Sequence, residues 1–191
     1  MNTFILDFET NGLNPFHDDV IEIAIKLFNS DKSFECLVIP QNGRGLSDKI
    51  TEITGITNQT LKENGLSYID AYTKFISFIE ENTNEKEFFY LVAHNGAGFD
   101  FMFFKKILKV MGKKFPNIRY VDSLFLSRLV HPRMYSHSMK TLCKIHNVSN
   151  EQEHRATGDV NALEKLLNIM ISKNSIDSIH TVYNLIEFIH S

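Results

Sequence analysis

Asp7 and Glu9 stand two residues apart in an apolar stretch that also holds Phe4, Ile5, Leu6 and Phe8. In an extended strand, residues two apart share a face, so two carboxylates point the same way from a segment that belongs in a core. Their desolvation and mutual repulsion are costly unless something positive offsets them. A divalent ion such as Mg²⁺ or Mn²⁺, which prefers hard oxygen ligands, does so well; a strand end that meets water or a lysine is the plainer alternative. Asp100 and Asp159 repeat the pattern at helical spacing. Asp100 precedes Phe103, Phe104, Ile107 and Met111, and Asp159 precedes Leu163, Leu166, Leu167 and Met170, which puts each carboxylate on a core-facing stripe. For Asp100, simple stabilisation of a helix N-terminus is the alternative. His154 lies five residues before Asp159 in the polar stretch 151–154, and histidine is suited to taking a proton from water near neutral pH. Four inward carboxylates and a histidine suit phosphoryl chemistry assisted by two metal ions about 4 Å apart. The chain has no P-loop, no G-x-S-x-G, no H-E-x-x-H and no glycine fingerprint for a dinucleotide.

The elements that must hold these residues are legible as patterns. Three β-like segments come first, at 3–9, 19–28 and 33–39. The second alternates, with Ile21, Ile23, Ile25 and Leu27 on one face and Glu22, Ala24 and Lys26 on the other. Asn11-Gly12 and Asn14-Pro15 mark a loop after the first strand, and a Gly/Asn-rich loop at 41–45 leaves the sheet. Helical spacing over 68–81 joins Ile69, Tyr72, Phe75, Ile76 and Ile79. A buried strand is expected at 88–94, a helix from about Phe99, and a last strand at 118–121 with Asp122-Ser123 starting a helix. Helices follow at about 123–130, 138–146, 156–173 and 178–190. This order predicts an α/β fold with a mixed central sheet.

The 191 residues suffice for one well-buried domain. Lys and Arg number 20 against 23 Asp and Glu, but the charges are segregated. Residues 1–100 carry 7 basic against 16 acidic side chains, whereas residues 101–150 carry 10 basic and Asp122 alone. A solvated helix face explains a basic stretch; so does a surface that holds a phosphate backbone beside an acidic site. Cys36 and Cys143 form no disulfide framework or zinc-ligand pair. No apolar run approaches a bilayer span, and Asp7 and Glu9 interrupt the first apolar stretch, which argues against a secretory signal. A soluble, intracellular protein is expected, cytoplasmic or nuclear.

The chain resembles the DnaQ-like, or DEDDh, 3′→5′ exonucleases of the ribonuclease H-like fold. The motifs that carry the resemblance are Asp7-Phe8-Glu9-Thr10-Asn11-Gly12-Leu13, Leu91 through Asp100, and His154-Arg155-Ala156-Thr157-Gly158-Asp159-Val160. Ile53 through Thr57 looks like the family's loop between the first two motifs, and Val121 through Leu124 like its strand-to-helix turn. The six steps from His94 to Asp100 and the run Ala156-Thr157-Gly158-Asp159-Val160 are most similar to the three-prime repair (TREX-type) branch, with Thr157 departing from its pattern. With four prolines the chain is not expected to carry the proline-rich insertion of that branch's animal members, nor their C-terminal anchor.

The resemblance, which covers about 1–170, implies a mixed five-stranded sheet flanked by helices on both faces; a single exonuclease domain over 1–191 is expected, with the stripe Ile179, Val182, Tyr183, Ile186 and Phe188 of helix 178–190 packing on it rather than forming a partner face. The resemblance also implies two Mg²⁺ ions, with Mn²⁺ able to substitute: Asp7 bridging both, Glu9 and Asp159 completing the first, Asp100 holding the second, and His154 acting as general base. Backbone of Thr10, Asn11, Gly12 and Leu13 would grip the terminal nucleotide, Leu13 would wedge against its base, and Asn95 would touch the neighbouring backbone. The expected partner is a single-stranded or frayed 3′ end, DNA in preference to RNA, and a homodimer is expected from the branch alone. Two rivals stand beside this reading: a short-RNA exonuclease of the RNase T or oligoribonuclease kind, and a non-catalytic nucleic-acid-binding or polymerase-docking module, for which loss of a carboxylate would be the signature.

Overall fold

The computed structural model describes residues 2–150, 154–173 and 179–190. Strands β1 (Thr3–Thr10), β2 (Val20–Leu27) and β3 (Ser33–Ile39) form an antiparallel meander. Two short helices follow, α1 (Asp48–Thr54) and α2 (Asn58–Asn64), then β4 (Leu66–Ser67) and α3 (Tyr68–Glu81). The second half alternates: β5 (Phe89–Ala93), α4 (Asp100–Val110), β6 (Ile118–Asp122), α5 (Ser123–Val130), α6 (Met139–His146), α7 (Ala156–Lys173) and α8 (Ile179–His190). The sheet order is β4-β3-β2-β1-β5-β6, with β5 parallel to both β1 and β6. This is a ribonuclease H-like arrangement.

Alternation along β1 splits the interior in two. Phe4, Leu6 and Phe8 face a core shared with Phe75 and Ile79 of α3 and Phe103, Phe104 and Ile107 of α4. Ile5 faces the other core, with Val92, Val121 and Val160, Leu163, Leu166 and Leu167 of α7. Each fully buried Phe or Leu contributes about 1.5–3 kcal/mol, and the two cores lock the register of β1. Asp7 and Glu9 continue the Ile5 face, so the same periodicity that buries Ile5 aims both carboxylates towards the α7 layer. The β1–β2 register slips between Glu9 and Thr10, an irregularity of the kind that re-aims side chains beside functional sites.

Several expectations are corrected. The sheet has six strands, because Leu66–Ser67 pairs in parallel with Val38–Ile39; two residues are too few to show a period. The stretch before α3 is helical, with Ser47 and Thr57 capping α1 and α2 through their side chains and Gly55 closing α1 at φ 70°. Ile69 is 45% exposed, so the core stripe of α3 begins at Ala71 and Tyr72. Both faces of β2 are covered: Ala24 is buried and Lys26 Nζ lies 2.5 Å from Glu164 Oε2 of α7. Ile179 and Val182 of α8 are buried in the α7-side core, whereas the side chains of Ile186 and Phe188, like the loop residues 151–153, lie outside the described residues.

Candidate active site

Three elements converge beyond the end of β1. Asp100, the first residue of α4, is 3% exposed, and its Oδ1 accepts a 3.0 Å hydrogen bond from the Phe8 backbone N–H, which ties the α4 N-terminus to the strand between Asp7 and Glu9. Asp159 stands in the first turn of α7. Its Oδ1 accepts from Asn150 Nδ2 at 2.6 Å and its Oδ2 from the His154 backbone N–H at 3.2 Å. Donor atoms of Glu9, His154 and Asp159 lie within 4.8 Å of one another. His154 is exposed and holds a left-handed backbone, φ 64°.

The electrostatics are those of a site built for a cation. Burial, then the charges of Asp100, Asp159, Glu9 and Glu22, raise the Asp7 carboxyl well above its ordinary range. Burial, with Asp159, Glu22 and Asp100 adding, pushes Glu9 from 4.5 to about 8, opposed by Arg155. Asp100 is raised by burial to about 7 against the hydrogen bond from Phe8, with Asp122 and Asp159 adding. Arg155 does not neutralise the cluster, because it is committed to Glu22: Nε and Nη2 donate to the Glu22 carboxylate at 2.6–3.2 Å. Clustered carboxylate oxygens beside an imidazole, with the nearby cation engaged elsewhere, fit hard divalent ions.

Glu22 was missed by sequence reasoning. It sits directly across the β1–β2 ladder from Glu9, is 4% exposed, and its Oε2 also accepts the Ala156 N–H at 2.9 Å, which caps α7. One side chain of β2 therefore holds the Arg155–Ala156 corner between His154 and Asp159. A glutamate facing another across a ladder is unfavourable by itself, and that was the available signal. Asn150 is not picked out by the sequence either, whereas Asp122, read there as the start of a helix, caps α5 as expected and does more. Asp122 ends β6 and accepts from the backbone N–H groups of Asn95, Ala97 and Leu124 at 2.9–3.0 Å, shaping the loop that leads to Asp100.

The expected substrate-side residues line the same end of the sheet. The Thr10 hydroxyl donates to Gly12 O at 2.6 Å, and Asn11 Oδ1 accepts from Asp19 N at 2.7 Å, so both side chains brace their own loop. A Cβ on Gly12 would lie 2.2 Å from Asp18 Oδ2. Leu13 is 82% exposed. Asn95 is exposed at φ 60°.

A family model described as Exonuclease (RNase T) matches residues 4–167. Among curated proteins, the chain is 35% identical over 170 residues to the PolC-type DNA polymerase III of Bacillus subtilis, a match covering 85% of this chain and 11% of that protein. It is 34% identical over 157 residues to the PolC-type DNA polymerase III of Thermotoga maritima, covering 81% and 11%. The chain thus spans about a tenth of the length of these relatives. Among solved structures, E. coli exonuclease I in complex with a dT13 oligonucleotide aligns with a TM-score of 0.75 at 16% identity over 89% of this chain and 41% of that one. The nuclease domain of 3′hExo, a DEDDh family member bound to rAMP, aligns with a TM-score of 0.75 at 17% identity over 92% and 94%. These two likenesses speak for the fold. No helix among the described residues is long and apolar enough to cross a membrane.

Proposed function

This chain belongs to the exonuclease family of the DnaQ-like, DEDDh kind, and from that premise we propose that it removes nucleotides one at a time from a 3′ end, releasing nucleoside 5′-monophosphates. The observation that carries the proposal is the meeting of Glu9, His154 and Asp159 donor atoms within 4.8 Å, beside the raised carboxyls of Asp7 and Asp100. Asp7, Glu9, Asp100 and Asp159 would hold two divalent ions, Mg²⁺ with Mn²⁺ as substitute; when bound, these neutralise the cluster and supply Lewis-acid strength.

The protein's own groups do the rest. His154 takes the proton of the attacking water while the bond from phosphorus to the 3′ oxygen of the penultimate nucleotide breaks. The Asp159 bond to the His154 backbone sets where that imidazole starts. The loop from Thr10 to Leu13 seats the terminal nucleotide, Leu13 against its base, and Asn95 meets the adjoining backbone. DNA is the preferred polymer, a reading supported by the His94-to-Asp100 spacing and by relatives that are themselves DNA polymerases. The chain, 1–191, acts as one exonuclease domain.

Digestion of matched 5′-labelled DNA and RNA oligomers, with Mg²⁺ or with EDTA, tests this. Stepwise shortening from the 3′ end of DNA, lost in EDTA and in Asp7→Ala or Asp159→Ala, is expected. His154→Ala should lower kcat by about 10²–10⁴-fold with little change in binding. Full activity in either aspartate variant would refute the metal assignment, and faster cleavage of RNA would replace DNA as substrate.

A further inference from the structure

The segment that leaves β1 is tightly cross-linked. Asn11 N donates to Asp19 O at 3.0 Å and Asn14 N to Asp18 Oδ2 at 2.9 Å, and Lys106 Nζ of α4 reaches Asp18 O at 2.7 Å and Asp19 Oδ1 at 2.6 Å. A loop held this firmly nonetheless leaves Phe16 81% exposed. Phe16 forms one wall of a groove of about 640 Å³ whose other wall is the outer face of α4, with Met102, Lys105, Lys109 and Val110. Those four follow helical spacing, so they make one stripe that starts two residues beyond Asp100 and runs about 12 Å away from it. Lys106 is engaged in pinning the loop, and the Lys105 ammonium lies 5.2 Å from the Tyr120 ring centroid. Among the described residues no hydrogen bond or ion pair engages the Lys109 side chain, although its backbone carbonyl accepts from the Gly112 N–H at 3.3 Å.

An occupant of this groove must offer flat apolar faces to Phe16 and negative charge to the lysines. A protein helix satisfies the first demand and an acidic tail the second; a single nucleic-acid strand with splayed bases satisfies both in alternation, as in stacking platforms that track a backbone. We propose that the groove between Phe16 and α4 binds the single-stranded segment upstream of the scissile nucleotide, with a base stacked on Phe16 and phosphates on Lys105 and Lys109. The proposal rests on the exonuclease reading and extends it to substrate length: chains long enough to fill the groove are favoured over those that reach only the carboxylates.

The test compares a single-stranded DNA octamer with the p-nitrophenyl ester of thymidine 5′-monophosphate, which spans the carboxylate cluster alone. In Phe16→Ala the octamer-to-ester ratio of kcat/KM should fall about tenfold, the size expected for one lost stacking contact. In the Lys105→Gln/Lys109→Gln double variant the salt dependence of octamer binding should flatten by about 0.7 in log–log slope per lysine. An unchanged ratio in both variants, a parallel loss on both substrates, or a change confined to oligomeric state in sedimentation would each overturn the proposal. Fluorescence anisotropy of a labelled octamer in EDTA reads the groove separately: octamer affinity lowered by the variants upholds it even where the wild-type chain hydrolyses neither substrate, the outcome that would instead refute the exonuclease reading.

Discussion

Glu22 is the most informative residue to perturb, because it touches no expected ligand position yet grips the segment that carries His154. Its carboxylate is buried, with a side-chain exposure of 5%, while the Arg155 side chain is 44% exposed. Removing one partner of a fully buried pair costs about 3–5 kcal/mol, but here the released guanidinium can turn to water, as at a surface site. Losing the α7 cap adds about 1 kcal/mol. Against this, Glu22 raises the carboxyls of both Asp7 and Glu9, so its removal relieves repulsion. The net destabilisation of Glu22→Ala should therefore be about 1–2 kcal/mol, too little to unfold the domain. Activity should suffer far more. A general base displaced by about 1 Å loses about 10²-fold, so kcat should fall by about that factor while KM stays near its wild-type value. A double-mutant cycle with Arg155→Ala, read by denaturant unfolding and by kcat, tests the coupling: the second substitution should add little once the first is made. Additive effects on kcat, or a stability loss with kcat intact, would refute the view that Glu22 positions His154.

Metal removal should make stability depend on pH in a defined sense. Glu9 and Asp100 are raised to about 8 and about 7 in the fold, so the unfolded chain releases these protons first; their contribution is full below the ordinary carboxylate range and is lost as pH rises through about 7–8. In EDTA the Tm should fall between pH 5 and pH 8.5, and excess Mg²⁺ should restore most of it at the higher pH; a Tm that rises over this range would contradict the raised values. Asp122→Ala strips an acceptor from three backbone N–H groups and should cost about 2–4 kcal/mol in urea unfolding, with looser protection of the 94–99 amides in hydrogen exchange. Gly12→Ala must displace the Asp18 carboxylate that holds Asn14; it should raise KM for oligonucleotides several-fold while lowering stability by no more than about 1 kcal/mol.

Much of the candidate site is legible because period and chemistry conflict there. Asp7 and Glu9 sit on a strand face that continues from Ile5, and Asp100 and Asp159 head stripes of buried Phe and Leu, so polar residues in apolar positions disclosed themselves. Glu22 did not, although it obeys the same rule. Its face of β2, with Ala24 and Lys26, reads as the solvent side, and only the three-dimensional placement of α7 turns it inward. Asn150 acts from a loop through its side-chain bond to Asp159, and Asp122 through the backbone N–H groups it holds, neither of which leaves a periodic trace. The missed β4 is two residues long, and α1 and α2 are seven residues each, shorter than a clear stripe requires; their Ser47 and Thr57 caps were the available signals.

The left-handed backbone at His154 sets activity against durability at one position. A branched-free but Cβ-bearing side chain at φ 64° costs about 1 kcal/mol relative to a residue at ease there. Asparagine visits that conformation more readily, so His154→Asn should leave a loop that is slightly more robust and, on the proposed mechanism, an enzyme without its base. Selection for durability alone would drift away from histidine at this corner. On the proposed mechanism a single exchange should therefore give an inert, intact and substrate-competent variant, and with it a means of trapping a bound strand before cleavage.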